Sequence, residues 1–135
     1  MVYVFLIGRI LFALLFLVKS IEHFFPSMMD HASSMGVPLP FITVPVFGVL
    51  ALLGGLSILL GYKAKIGAWL LVIFLLPVTF LMHPFWKASD SFSSMMHQYC
   101  FWKNLALLGA SLMIAYAGSG PISIDGCCTC SKKRK

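Results

Sequence analysis

Five residues of this chain have types suited to chemistry and positions suited to meeting: Glu22, His23, His83, Lys103 and Asn104. Each stands where a long apolar run begins or ends. Histidine titrates near neutral pH, so His23 and His83 can take up or release a proton, with the Glu22 carboxylate as a second acceptor. Lys103 and Asn104 offer donors for oxygen atoms. If the runs form a helix bundle, their ends come to one level, and the set could hold a protic headgroup and take its proton. A plainer alternative stands beside this one. Glu22 and His23 can be the interfacial end of a long apolar stretch, Lys103 and Asn104 a helix cap, and His83 the last residue of its run.

A second set consists of soft metal donors. Met28, Met29, His31 and Met35 fall in one polar segment, Met95, Met96, His97 and Cys100 in another, and Cys127, Cys128 and Cys130 near the end. Thioether, imidazole and thiol are ligands for Cu(I), so copper handling is an alternative function. Methionine is also an adaptable filler near membranes. The final Lys-Lys-Arg-Lys can hold the tail near anionic lipid whatever the cysteines do. No nucleophile elbow, phosphate loop, dinucleotide fingerprint or HExxH motif occurs, so a stand-alone enzyme of soluble type is not expected. A membrane scaffold that only recruits partners is the third class.

The elements that would position these residues are transmembrane helices. Of 135 residues, 60% are hydrophobic and 10% charged, with a mean hydropathy of +0.96; soluble domains carry about 25% charged residues. Four spans are predicted, at about 2–25, 41–60, 66–82 and 101–118, joined by loops at 26–40 and 83–99 and by a tight connection at 61–65. The fold class is therefore all-α, an integral membrane antiparallel four-helix bundle, in one domain over 1–125 with a Cys-rich basic tail at 126–135. Pro45 is placed in the first turn of the second span, and Pro77 is expected to kink the third, with Thr79 or a neighbouring helix covering the freed carbonyl of Ile73. Gly48, Ala51 and Gly55 form a small-residue stripe on the second span, expected to meet Ala106, Gly109 and Ala110 of the fourth.

The first span keeps Arg9, Lys19, Glu22 and His23. A charge within a span costs about 2.5–3.5 kcal/mol on insertion scales unless it pairs or snorkels. Lys19 can pair with Glu22 and His23 at i+3 and i+4, and Arg9 is expected to pair with a neighbouring helix. The excess of Lys and Arg at 62–65 and in the tail places both termini in the cytoplasm, and all four histidines at the outer ends of the spans. The net charge of +6 then reads as topology and attraction to lipid, not as nucleic-acid binding. The expected partners are the lipid bilayer, proteins of a membrane complex and further copies of the chain.

The stretches GRILFALLFLVKSIEHFF, GGLSILLGYKAKIGAWLLV, TFLMHPFW and FWKNLALLGASLMIAYAGSGPISID carry a resemblance. Over roughly residues 3–125 the chain resembles the DoxX family of small four-helix bacterial membrane proteins. The most specific part is Lys-Asn-Leu-Ala-Leu-Leu-Gly opening the last helix, with Gly-x-Gly and Ser-x-Asp after it. The resemblance implies an inner-membrane protein belonging to a redox or oxidative-stress system. Some relatives are subunits of a thiosulfate:quinone oxidoreductase, and others are membrane partners of proteins that handle oxidative or thiol stress. It marks Arg9, His83, Trp86, Lys103, Asn104 and Asp125 as family-like positions, with Arg9, Trp86, Lys103 and Asn104 as candidates to hold a quinone. The acidic residue that family members often carry before the Gly-Gly of the second helix is missing here.

The charge asymmetry predicts the topology. A cysteine at Ser93 should react with a membrane-impermeant maleimide on intact cells, and one at Ser131 only after lysis. The reverse labelling would invert every side assignment.

Overall fold

The computed structural model describes residues 1–87, 89–120 and 122–125. Among these residues five α-helices follow one another: α1 (Val2–Glu22), α2 (Pro26–Ser34), α3 (Pro40–Leu60), α4 (Ala64–Met82) and α5 (Ser91–Ala117), with one 3-10 turn at Phe85–Lys87 before α5. Among the described residues, α1, α3, α4 with its following turn, and α5 are long and apolar enough to cross a membrane. They run up and down as an antiparallel bundle, while α2 is a short helix at one end. The tail cysteines Cys127, Cys128 and Cys130 lie outside the described residues.

Each spanning helix packs on its neighbour in sequence, α1 on α3, α3 on α4 and α4 on α5. The α3 glycines explain the first two contacts. A methyl at Gly55 would lie 3.1 Å from Leu17 and 3.4 Å from the Ala13 carbonyl, and one at Gly48 would collide with His23 at 2.8 Å. On the opposite side, a methyl at Gly54 would lie 2.9 Å from the Gly67 carbonyl and 2.7 Å from Leu71. In lipid, where apolar surface gains nothing by leaving water, this close approach of backbones is a principal source of helix association. Ala13, Phe16, Ala51, Ile58, Ala68, Leu71, Phe74 and Leu75 form the core between the three helices. The expected partner of the Gly48, Ala51, Gly55 stripe is thus corrected: it receives α1, not α5. Gly109 has nothing within 4 Å, and α5 packs instead through Leu107, Leu108, Ile114 and Ala115.

The predicted loops are largely helical. In 26–40, Pro26 sits at the start of α2, where its missing N–H is harmless. In 83–99, the Asp90 carboxylate accepts from the Ser93 amide at 2.9 Å, and this cap starts α5 ten residues before the predicted 101. At 1.5 Å per residue the 27 residues of α5 reach about 40 Å, so its first turns stand beyond a hydrocarbon core of about 30 Å. Because α3 begins at Pro40, Pro45 falls in its second turn rather than its first. α4 runs through Pro77 to Met82. Thr79 does not cover the Ile73 carbonyl, since its hydroxyl donates to Leu75 at 2.6 Å.

Opposite the α2 end, α3 turns into α4 at Gly61, whose φ of +65° is the left-handed value a helix-terminating glycine adopts. A methyl there would also meet Ser123 and the Arg9 guanidinium.

The glycine geometry yields a paired prediction. Gly54→Ala should destabilise the protein in detergent by about 1–3 kcal/mol, the range for overpacking. Gly109→Ala should be neutral or stabilising, since Ala is favoured over Gly in a helix by up to about 1 kcal/mol. Thermal unfolding followed by circular dichroism separates the two, and equal behaviour would contradict the packing.

Candidate functional site

Because α1 and α5 have no extended packing on one another, a cavity of about 250 Å³ opens between them at the α2 end. α1 contributes Leu15, Phe16, Lys19, Glu22 and His23, and α5 contributes Cys100, Lys103, Asn104 and Leu107. α4 supplies the floor through Phe74, Leu75, Pro77, Val78 and Leu81, and then Met82 and His83 at its end. Met28, His31 and Ala32 of α2 cover the top, with Val37, Val44 and Phe47 behind them. The wall is apolar over most of its depth, with the polar groups gathered at one level.

The polar groups differ in how well they are satisfied. Lys19 and Glu22 form the anticipated i, i+3 pair, with Nζ 2.9 Å from both carboxylate oxygens. His23 ends α1, its Nδ1 2.9 Å from the Lys19 carbonyl and its ring edge-on to Phe74. In contrast, Asn104 is only 6% exposed, and its side chain makes no hydrogen bond among the described residues. His83 Nδ1 is likewise buried without a partner. Lys103 has no carboxylate partner among the described residues. An amide left unpaired in an apolar site costs about 1–3 kcal/mol on mutational scales. Such groups persist where something else supplies the partner.

The structure therefore brings together Glu22, His23, His83, Lys103 and Asn104, which the sequence had grouped, and adds Lys19, His31 and Cys100. All four histidines lie at this end, with the His97 ring 5.9 Å from that of His83. Arg9 and Trp86 are not part of the cavity. Trp86 belongs to an aromatic cluster with Phe85 and Phe101, in the manner of an interfacial belt. Arg9 is at the opposite end, buried, and donates to the carbonyls of Ser119 and, at 2.7 Å, Ile122. The expected pairing of Arg9 is met by backbone carbonyls of the segment after α5, not by a helix.

Of the soft donors, Met28 and His31 reach the cavity, and Met29 packs beside Ala32, Val37 and Val44. Met95 and Met96 are exposed. No three His, Cys, Asp or Glu side chains among the described residues are placed to share a metal ion. Cys100 escaped the sequence reading as a member of the polar site because a helix start at 101 removed it from the helix. The signal was its spacing of three and four from Lys103 and Asn104, which becomes visible once α5 begins at Ser91.

The family model that matches is DoxX, over residues 4–84. The chain is 30% identical over 127 residues to inner membrane protein YphA of Escherichia coli (strain K12), covering 89% of this chain and 86% of that protein. It is 31% identical over 125 residues to inner membrane protein YqjF of the same strain, covering 89% and 88%. No solved structure matches.

The separation of Arg9 from the cavity is testable. Arg9→Met should speed amide hydrogen exchange across 118–125, because two charge-assisted bonds of about 1.5–3 kcal/mol each are lost, while ligand binding at the cavity stays unchanged. Unaltered exchange would show that Arg9 does not hold this segment.

Proposed function

Since the chain belongs to the DoxX family of multi-pass bacterial inner-membrane proteins, we propose that its cavity holds the headgroup of a lipid-soluble redox ligand, a quinone or quinol. In this reading the protein is a membrane component of a redox or oxidative-stress system. The observation that carries it is that a buried residue whose side chain makes no hydrogen bond among the described residues, Asn104, and the unpartnered His83 Nδ1 both line a cavity with a mostly apolar wall. An apolar cavity of about 150 Å³ takes up benzene, so about 250 Å³ accommodates a substituted ring but no long tail. Leu15 of α1 and Leu81 of α4, which line the cavity and are also exposed, offer the tail a way out into lipid. Leu15 lies seven residues, about 10 Å, below Glu22 along α1.

A bound quinone would supply the two-electron, two-proton chemistry; the chain's residues bind, orient and move protons. The Asn104 amide donates to a ring oxygen. Lys103, without a carboxylate partner among the described residues, favours negative charge on that oxygen. His83 offers its unpartnered Nδ1 as a hydrogen-bond partner for the headgroup, beside His97 and His31. Glu22, half-exposed and held by Lys19, passes protons between this level and water. With the orientation expected from the Lys and Arg asymmetry, this reading has the cavity at the outer face and both termini inside. Electron donors would then be proteins or small molecules on the outer side, and a partner protein would dock over α2 and the start of α5.

The test uses the stability cost of an empty polar site. Asn104→Leu should raise the thermal midpoint of the ligand-free protein, because an unpaired buried amide is removed, and at the same time weaken quinone binding about three- to tenfold, as loss of one hydrogen bond implies. Glu22→Gln should leave binding intact and slow proton-coupled turnover with the native partner. If Asn104→Leu lowers stability and leaves binding unchanged, the amide is structural and the quinone site is rejected.

A further inference from the structure

We propose that Cys100 is a nucleophile facing the ligand of this cavity, and that it forms a thioether with p-quinones that keep an unsubstituted ring carbon. The inference rests on the quinone reading above and adds to it a covalent step and a distinction between two classes of quinone. Cys100 is a free, half-buried thiol in the cavity wall. On α5, Cys100 stands three residues after His97 and three and four before Lys103 and Asn104, which sets the four on one side of the helix. Asn104, one turn beyond Cys100, is the nine-tenths-buried amide that lacks a partner. Side chains one turn apart have Cβ atoms roughly 5–6 Å from each other. A six-membered ring whose carbonyl accepts from Asn104 therefore spans the turn and brings a ring carbon to the sulfur.

The step needs no outside oxidant or reductant. Sulfur bonds to the ring carbon β to the carbonyl, and the displaced π pair moves onto the carbonyl oxygen, where Asn104 and Lys103 stabilise the charge. The thiol proton passes through the neighbouring imidazole of His97 or His83 to one ring oxygen. The hydrogen of the attacked carbon leaves as a proton and ends on the other. Quinone and thiol together become a thioether-substituted quinol, with every atom retained and the ring reduced by the two electrons of the new bond. A fully substituted quinone has no open carbon. It binds the same amide and leaves unchanged, so the site holds one class reversibly and retains the other.

The experiment uses the full chain with Cys127, Cys128 and Cys130 changed to Ser, leaving Cys100 as the sole cysteine, in lipid nanodiscs. Menadione, which has one open ring carbon, should add one equivalent by intact mass, mapped to Cys100 by peptide analysis. Duroquinone, which has none, should slow this about tenfold when present at ten times its Kd. Asn104→Leu should slow it about three- to tenfold. Labelling that duroquinone does not slow, or that maps to lysine, overturns the proposal. Equilibrium binding of duroquinone to Cys100→Ser separates the two readings. Binding without any menadione adduct on the cysteine-containing protein refutes the nucleophile and leaves the quinone site standing. Neither binding nor adduct refutes both.

Discussion

The architecture depends on how closely backbones approach along α3. With glycine at 48, 54 and 55 and alanine at 51, this helix has almost no side-chain thickness toward α1 or α4. Both neighbours are drawn against it. Bulk lies instead on the far side of the core, in Phe16, Phe74 and Leu75. α1 and α4 therefore meet through an aromatic edge contact, Phe16 on Phe74 at 6.3 Å between ring centres, rather than through their backbones. α5, which packs on α4, is held away from α1 by that thickness. The cavity follows from an asymmetry of residue size, with small residues on one side of the bundle and large on the other.

In a bilayer, polar groups must find partners within the protein, and the two ends of the bundle meet this demand differently. At the Gly61 end the demand is met largely by backbone, with Arg9 Nε left unpaired. Ser57 donates to the Tyr62 carbonyl at 2.6 Å, the Asp125 amide donates to Gly61 at 3.1 Å, and two nitrogens of Arg9 are taken by the segment after α5. The Arg9 guanidinium thus acts as a clamp that fastens this segment across the bundle. At the α2 end, Lys19 and Glu22 satisfy each other, and Asn104 and His83 Nδ1 are left over. Arg9 Nε is left over at the Gly61 end as well, so an unpaired atom alone does not distinguish the ends; at the α2 end such an atom borders a cavity.

Much of this was legible in the chain. Four apolar runs, punctuated by Pro, Gly and charge, marked the four spans, and the polar residues at the run ends marked which side chains would share a level. Lys19 with Glu22 followed from helical spacing alone. What was not legible has physical causes. Segments 26–34 and 91–100 are polar enough to read as loops, yet each starts at a helix signal, Pro26 in one and Asp90 with Ser93 in the other. The pairing of small-residue faces was misread because Ala106 and Gly109 have the same composition as the α3 stripe but lie on the outward surface of α5. Composition gives a face, and only packing gives its partner. Arg9 was grouped with distant residues by the resemblance alone, although its place in the first half of the 2–25 span sets it away from Glu22 and His23.

The unsatisfied groups also constrain how the site can work. Asn104 and His83 sit on α5 and at the end of α4, two helices packed on one another, so the spacing between donor and acceptor is set by a rigid pair. Glu22 and His23 sit on α1 across the gap, and α2 follows them after the three residues 23–25, with its far end turned at Gly36, where φ is +79°. Glu22 and Lys19 thus face the cavity from α1, and Asn104 and His83 from the α4–α5 pair, so the two sides of the cavity can be altered separately by substitution.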